Sequence, residues 1–138
     1  MKPTLPNEVK ANLIQSAVQA RKKAYTPYSK YKVGAALLAK SGEIYTGANV
    51  ENAAYPSGMC AERVAIFKAA AEGERKFKAL AVVTANGGSP CGGCRQVMAE
   101  FGLDMLLLVA DTKGNIKHEL TVADLLPGAF TPKDLPRE

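Results

Sequence analysis

Two short segments hold all three cysteines of this chain, Cys60-Ala61-Glu62-Arg63 and Pro90-Cys91-Gly92-Gly93-Cys94-Arg95. Three thiolates can bind one zinc ion and leave its fourth tetrahedral position open for water. Glu62 lies two residues after the first cysteine, so its carboxylate accompanies the metal without having to bind it. A carboxylate beside a zinc-activated water can move protons during attack on an electrophilic carbon. The segments therefore predict a reactive zinc site with Cys60, Cys91 and Cys94 as ligands and Glu62 as the catalytic residue.

Both segments are predicted to lie at the start of a helix. Residues two apart in a helix are separated by about 200° around its axis, so a metal beside the helix could not meet both Cys60 and Glu62. A metal just beyond the N-terminal end could meet both, and Cys91 and Cys94 would approach it from the start of the second helix. Because helix N-termini carry positive partial charge, they stabilise thiolates. We expect the zinc ion between two helix N-termini.

The charge of this site calls for nearby cations. Zn²⁺ with three thiolates is a net anion, and Glu62 adds a further negative charge. Arg63 and Arg95 directly follow elements of the two motifs. Both are predicted to donate hydrogen bonds to the thiolates and to withdraw electron density from the sulfur atoms. The alternative is that both arginines form ordinary ion pairs at the surface.

A second alternative is a closed structural zinc site that uses His118 as a fourth ligand. Structural sites usually combine two pairs of ligands spaced like Cys-x-x-Cys, whereas one half here is Cys-Ala-Glu. His118 also lies in a polar stretch, residues 115–119, which is typical of an exposed strand or loop. The sequence therefore favours the open site.

Composition limits the possible class of protein. A chain of 138 residues with 47% hydrophobic content is expected to form one domain, residues 1–138. It has no apolar run long enough for a membrane span, and its start at Met1 lacks the apolar core of a secretory leader. Three cysteines favour free thiols in a reducing compartment, so we expect a cytoplasmic protein.

The net charge of +5 raises the question of nucleic-acid binding. The basic residues are scattered along the chain, and the densest cluster, Arg21-Lys22-Lys23, ends a predicted helix where cations suit the helix dipole. Neither a nucleic acid nor a membrane is therefore expected as a partner.

Hydrophobic periodicity predicts an α/β fold. Helices are predicted over residues 7–24, 60–72, 92–101 and 122–126, and strands over 32–39, 43–50, 80–84 and 105–109. The first two strands form a hairpin, and the helix over 60–72 is apolar enough to be expected buried on all sides. A hairpin followed by alternating strands and helices predicts a mixed sheet covered by helices.

Five segments, taken in order, resemble cytidine deaminases of the small three-cysteine class. They are residues 27–36 (PYSKYKVGAA), 46–55 (TGANVENAAY), 60–63 (CAER), 90–96 (PCGGCRQ) and 125–130 (LLPGAF). Three-cysteine ligation with a non-ligand glutamate and a P-C-x-x-C half is a layout of zinc nucleobase deaminases. The resemblance implies a three-layer αβα sandwich with a five-stranded mixed sheet and one Zn²⁺ per subunit. It also implies hydrolytic deamination of cytidine and 2′-deoxycytidine to the uridines and ammonia, in pyrimidine salvage.

The resemblance also implies residue roles. Asn49 and Glu51 match positions that hydrogen-bond the ribose, and Tyr31, where the family usually has Phe, matches an aromatic that packs against the nucleoside. Main-chain groups near Ala61 and Pro90 would read the pyrimidine edge. The resemblance further implies a homotetramer, in which residues matching Ala53, Tyr55 and Phe130 reach or support a neighbouring subunit's site. Without the deaminase motifs, Asn49 would be interpreted as a turn residue and Glu51 as a surface charge.

Three other functions remain open at this stage. The same chemistry could act on a nucleoside antibiotic such as blasticidin S, although Asn49-Val50-Glu51-Asn52 fits ribose recognition better. It could act on a base within a nucleic acid, but Cys60 stands where polynucleotide deaminases usually have histidine. Finally, the chain could be a non-catalytic binding module that zinc stabilises.

Overall fold

A five-stranded sheet lies at the centre of the protein, in a computed structural model that describes residues 4–136. Met1, on which the leader prediction depended, lies outside the described residues. The helices are α1 (Asn7–Arg21), α2 (Ala61–Ala71), α3 (Gly92–Phe101) and α4 (Val122–Leu125). The strands are β1 (Gly34–Ala39), β2 (Ile44–Ala48), β3 (Phe77–Thr84), β4 (Leu106–Asp111) and β5 (Ile116–Thr121).

The sheet is mixed, with strand order β2-β1-β3-β4-β5. β1 and β2 form the predicted antiparallel hairpin, β1 also pairs antiparallel with β3, and β5 pairs antiparallel with β4. Among the five strands of the described residues, β3 and β4 form the one parallel pair, and they end side by side at Thr84 and Asp111. Side chains that follow β3 therefore reach the carboxyl edge of the parallel pair, where open α/β sheets commonly build their sites.

Helices cover both faces of the sheet, as a three-layer αβα sandwich requires. Successive residues of a strand point to opposite faces, and the buried residues divide accordingly into two hydrophobic clusters. On one face, Leu13 and Ala17 of α1 pack with Ala81 and Leu108 of the sheet. The cluster on the other face brings α2 and α3 against β1, β3 and β4. The three-layer arrangement is confirmed.

One glycine determines how closely α2 approaches the sheet. A Cβ atom at Gly47 of β2 would lie 2.5 Å from the carbonyl oxygen of Ala61 and 2.7 Å from the amide nitrogen of Ala65. Any larger residue would push the first turns of α2 away from β2. Gly47 therefore sets the position of the end of α2 that carries Cys60 and Glu62.

Apart from shifts of a few residues at the ends of helices and strands, the structure differs from the sequence prediction in two places. β5, predicted only as an exposed strand or loop, is a regular edge strand, and its polar side chains face solvent so that it has no apolar pattern. The prediction that α2 is buried on all sides is wrong for the single chain, because α2 belongs to an outer layer and Phe67 is 45% exposed. In the part of the chain described, no helix combines the length and apolarity needed to cross a bilayer.

Candidate metal centre and adjoining cleft

Three sulfur atoms meet between the N-termini of α2 and α3. Cys60 is the residue that precedes the first turn of α2, Cys91 holds the same position before α3, and Cys94 lies in the first turn of α3. Their Sγ atoms all lie within 4.8 Å of one another, and none forms a disulfide. Sulfurs bound at 2.3 Å to a tetrahedral zinc are about 3.8 Å apart. The three thiols therefore fit a single zinc ion.

His118 does not take part in this cluster. It lies on the edge strand β5, opposite Val109 of β4, and is exposed. Among the described residues, the cluster of potential metal ligands contains only the three cysteines. The alternative of a closed site with His118 as the fourth ligand is therefore wrong, and a fourth position is left for a small molecule.

A hydrogen bond between two of the thiols shifts their pKa values in opposite directions. The hydrogen bond with Cys94 lowers the pKa of Cys60 to about 6. The same hydrogen bond, together with burial, raises the pKa of Cys94, which therefore keeps the shared proton. Because metal ligands must be deprotonated, binding of zinc releases this proton.

Glu62 is a buried carboxyl group next to the sulfur cluster. It is the second residue of α2 and only 5% exposed. Burial raises the pKa of Glu62, because a charged carboxylate is poorly solvated in this position. Glu62, Cys60 and Cys91 line the same cavity. A carboxyl group so placed can hold a proton and return it to a molecule beside the metal.

Arg63 lies against the sulfur cluster. A hydrogen bond with Cys94 raises the pKa of Arg63, since the charged guanidinium is the better donor. A Cβ atom at Gly93 would lie 2.1 Å from Nη2 of Arg63, so this glycine leaves the space that the guanidinium fills. Nε of Arg63 is buried and has no hydrogen-bond partner among the described residues. The guanidinium is thus placed to offset the negative charge of three thiolates.

Arg95 makes different contacts from those expected. Its Nε donates to the carbonyl of Pro90 at 2.9 Å, Nη1 donates to the carbonyl of Leu125 at 3.0 Å, and Nη2 donates to Oγ of Ser89 at 3.0 Å. The hydrogen bonds that the structure gives Arg95 thus run to oxygen atoms instead of to a thiolate. The side chain of Arg95 therefore lies along the segment that precedes Cys91, and its hydrogen bonds to Ser89 and Pro90 hold that segment in place.

Two adjoining cavities open next to the sulfur cluster, one of about 240 Å³ and one of about 490 Å³. They share Asn49 and Cys60 in their walls. The residues predicted to bind substrate divide between them: the smaller is lined by Tyr31, Asn49, Ala61 and Pro90, and the larger by Asn49, Glu51 and Tyr55. We call the two cavities together the cleft.

The structure does not bring Phe130 into the wall of the cleft. Its side chain is 55% exposed, and its carbonyl accepts a hydrogen bond of 2.7 Å from Nε2 of Gln96. Tyr55, although part of the larger cavity wall, is 74% exposed and packs edge-to-face on Tyr28. Both aromatic side chains present large apolar surfaces that the single chain leaves uncovered.

Asn49 and Glu51 follow β2 and brace the wall of the cleft. The side chain of Asn49 accepts from the amide of Val33 and donates to the carbonyl of Tyr31, both at 2.9 Å. The carboxylate of Glu51 accepts from the amide of Ser29 at 3.1 Å and from its hydroxyl. The bond from that hydroxyl is the main cause that lowers the pKa of Glu51. Glu51 is therefore a charged acceptor at ordinary pH.

The sequence prediction missed several residues of the smaller cavity. Thr84, Gly88 and Ser89 all belong to its wall. Thr84 ends β3, and residues 85–91 connect β3 to α3. The position of Thr84 at the carboxyl end of a buried strand was the available signal, because such ends face the sites of α/β proteins.

Fold and site together define an α/β metalloprotein whose metal centre is built from thiols at two converging helix N-termini. Residues 7–110 match the sequence family described as the cytidine and deoxycytidylate deaminase zinc-binding region. The chain belongs to this family, and zinc is its metal.

Individual relatives agree with this assignment. A cytidine deaminase of Sporosarcina psychrophila is 56% identical over 126 residues, covering 89% of this chain and 92% of the relative. One of Halalkalibacterium halodurans is 53% identical over 131 residues, covering 89% and 95%. The crystal structure of cytidine deaminase from Burkholderia pseudomallei superposes with a TM-score of 0.83 at 44% identity, covering 91% of this chain and 100% of that one.

Proposed function

We propose that this protein hydrolyses cytidine and 2′-deoxycytidine to uridine and 2′-deoxyuridine with release of ammonia, in pyrimidine salvage. The observation that carries the proposal is the meeting of three thiols and the buried carboxyl group of Glu62 at one cavity. Similarity to proteins named cytidine deaminase over nine-tenths of the chain supports the choice of substrate.

Cys60, Cys91 and Cys94 would hold the zinc ion, which supplies a water molecule of lowered pKa at its open position. Glu62 carries out the proton transfers. Because burial raises its pKa, Glu62 is a better proton acceptor than an exposed carboxylate, and it can take a proton from the attacking water and deliver it to N3 of the cytosine ring. Protonation of N3 makes C4 more electrophilic, so that the remaining hydroxide adds there. Glu62 then takes the proton of the new hydroxyl group on C4 and passes it to the amino group, so that the C4–N bond breaks, the C4 carbonyl forms and ammonia leaves.

The walls of the cleft would recognise the nucleoside. The charged carboxylate of Glu51 and the amide of Asn49 lie in the wall of the larger cavity, where they suit the hydroxyl groups of a ribose. Main-chain groups of Ala61 and Pro90 would bind the polar edge of the pyrimidine, and the ring of Tyr31 would pack against the nucleoside. Arg63 would offset the charge of the thiolates.

We further propose that the whole chain, residues 1–138, acts as a single domain in a cytoplasmic homotetramer. Three thiols that form no disulfide are typical of proteins in a reducing compartment. Phe67, Tyr55 and Phe130 expose large apolar side chains in the single chain, and such surfaces are typical of contacts between subunits. A partner subunit that covers them would bring its residues to the mouth of the cleft. Sedimentation of the purified protein at several concentrations measures the oligomeric state, and a monomer would contradict this part of the proposal.

The test is a comparison of Glu62→Gln with the wild-type enzyme, both loaded with zinc. General acid–base catalysis contributes about 10²- to 10⁴-fold, so kcat should fall by that factor. Zinc content should stay near one ion per chain, because Glu62 is not a ligand. The matched control is Glu72→Gln at the exposed end of the same helix, which should retain wild-type turnover.

The substrate is decided by following ammonia release from cytidine, 2′-deoxycytidine, blasticidin S and a cytosine-containing oligonucleotide. Turnover of the free nucleosides in preference to the other two compounds is the expected result. Preference for blasticidin S or the oligonucleotide would replace the proposed substrate but keep the chemistry. Zinc-loaded wild-type protein without any deamination would indicate a zinc-stabilised binding module.

A further inference from the structure

The hydroxyl of Tyr31 takes part in a chain of hydrogen bonds across the smaller cavity. It donates to Oδ1 of Asn86 at 2.8 Å, and the same Oδ1 accepts from Oγ1 of Thr84 at 3.2 Å. Oγ1 of Thr84 in turn accepts from the amide of Gly88 at 2.8 Å. These four residues, which we call the Tyr31–Asn86 clasp, join a residue before β1 to the loop over residues 86–90 that leads into Cys91.

The packing around the hydroxyl leaves room for glycine only. A Cβ atom at Gly88 would lie 2.6 Å from Oη of Tyr31. A contact that short would force the ring or the loop to move. The hydroxyl thus occupies the space where a side chain at residue 88 would begin, and it is hydrogen-bonded to the same loop through Asn86.

Both ends of the clasp are anchored independently. On one side, the amide of Tyr31 donates to Oγ of Ser29 at 3.0 Å, and the carbonyl of Tyr31 accepts from Nδ2 of Asn49 at 2.9 Å. On the other side, Thr84 ends the buried strand β3 and is only 3% exposed. Because both segments are fixed, the hydroxyl of Tyr31 can determine the distance between the segment before β1 and the loop after β3.

The two halves of the loop have different supports. Arg95 holds Ser89 and the carbonyl of Pro90, next to the metal ligand. The clasp holds the half that contains Asn86 and Gly88, farther from the metal. Loss of the clasp should therefore loosen the wall of the cavity without displacing Cys91.

From this arrangement we propose that Tyr31 is a positioning residue, whose hydroxyl holds residues 86–88 against the nucleoside through Asn86. The proposal rests on the proposed function for its substrate and adds a specific role for one oxygen atom. The wall makes contacts that the ground state and the transition state share, so its loss raises KM with little change in kcat.

The test replaces Tyr31 by Phe, which removes the hydroxyl and keeps the ring. One net hydrogen bond corresponds to about a fivefold change in an equilibrium. We expect KM for cytidine to rise about fivefold, kcat to stay within about twofold, and zinc content to be unchanged. Amide hydrogen exchange over residues 84–90 of the zinc-loaded protein, measured by mass spectrometry, should become about fivefold faster. The matched control is Tyr45→Phe, which removes a hydroxyl bonded to Glu74 outside the cleft and should change neither quantity.

A double-mutant cycle separates the clasp from a general effect of the substitution. Asn86→Ala should raise KM on its own, and adding Tyr31→Phe should have little further effect, because both remove the same bond. The proposal would be overturned if Tyr31→Phe kept the wild-type KM and the wild-type rate of amide hydrogen exchange. It would also be overturned if the effects of the two substitutions on KM were additive in the double variant. Hydrogen exchange can be measured without turnover. A protein without deaminase activity would refute the proposed function, and the exchange measurement would still decide whether the clasp exists.

Discussion

Replacing Gly47 by Ala should displace α2 and thereby damage the metal centre at the N-terminus of this helix. The new Cβ atom would lie 2.5 Å from the carbonyl oxygen of Ala61 and 2.7 Å from the amide nitrogen of Ala65. Both neighbours are backbone atoms of a helix, so the helix as a whole must retreat by roughly 1 Å to restore ordinary van der Waals contact. Overpacking of this kind lowers the free energy of unfolding by about 1–3 kcal/mol.

The displacement acts on Cys60, which immediately precedes α2. Metal–ligand distances tolerate only about ±0.2 Å, so a shift of roughly 1 Å should weaken the site. We expect zinc affinity to fall about 10- to 100-fold, a range typical of changes to the supports of metal ligands. The unfolding temperature of the zinc-loaded protein should fall by roughly 4–12 °C.

Competition with a chromophoric chelator measures the zinc affinity, and thermal unfolding with and without zinc separates damage to the fold from damage to the site. The control is Gly92→Ala, which adds the same methyl group where nothing lies within 4 Å and should not lower the unfolding temperature. If Gly47→Ala retained both the wild-type zinc affinity and the wild-type unfolding temperature, the reasoning about the approach of α2 would be refuted.

Two further predictions concern the supports of the cleft. Arg95→Ala removes the charged donor to the carbonyl of Pro90. The free energy of unfolding should fall by about 1.5–3 kcal/mol, and zinc should bind more weakly. A zinc affinity equal to that of the wild type in the chelator competition would contradict this prediction. Ser29→Ala should raise the pKa of Glu51 toward its ordinary 4.5, because the Ser29 hydroxyl is the main cause that lowers it. A depressed pKa stabilises the fold above pH 4.5 and loses that effect as pH falls through the lowered value. Carboxyl NMR titration of Glu51 should therefore give a higher midpoint in the variant, and equal midpoints would refute the assignment.

Much of the fold could be predicted because its signals are local. α3 has the predicted bounds of residues 92–101, because its cap residue and its closing glycine are both adjacent in sequence. β5 carries no such signal, since an edge strand with polar side chains lacks the apolar alternation that marks a half-buried strand. The exposure of Phe67 could not be foreseen either, because composition does not reveal which side of a helix meets the sheet.

The sequence by itself determined which three cysteines form the cluster and that Glu62 lies beside them. Their geometry follows from short-range rules: residues at the first turn of a helix gather at its N-terminal end wherever the helix lies. Only the tertiary structure decided that Arg95 braces a loop and that Tyr31 reaches Asn86, 55 residues away. Such contacts depend on how the sheet and its loops are placed in space, and no local pattern encodes the direction of a long side chain.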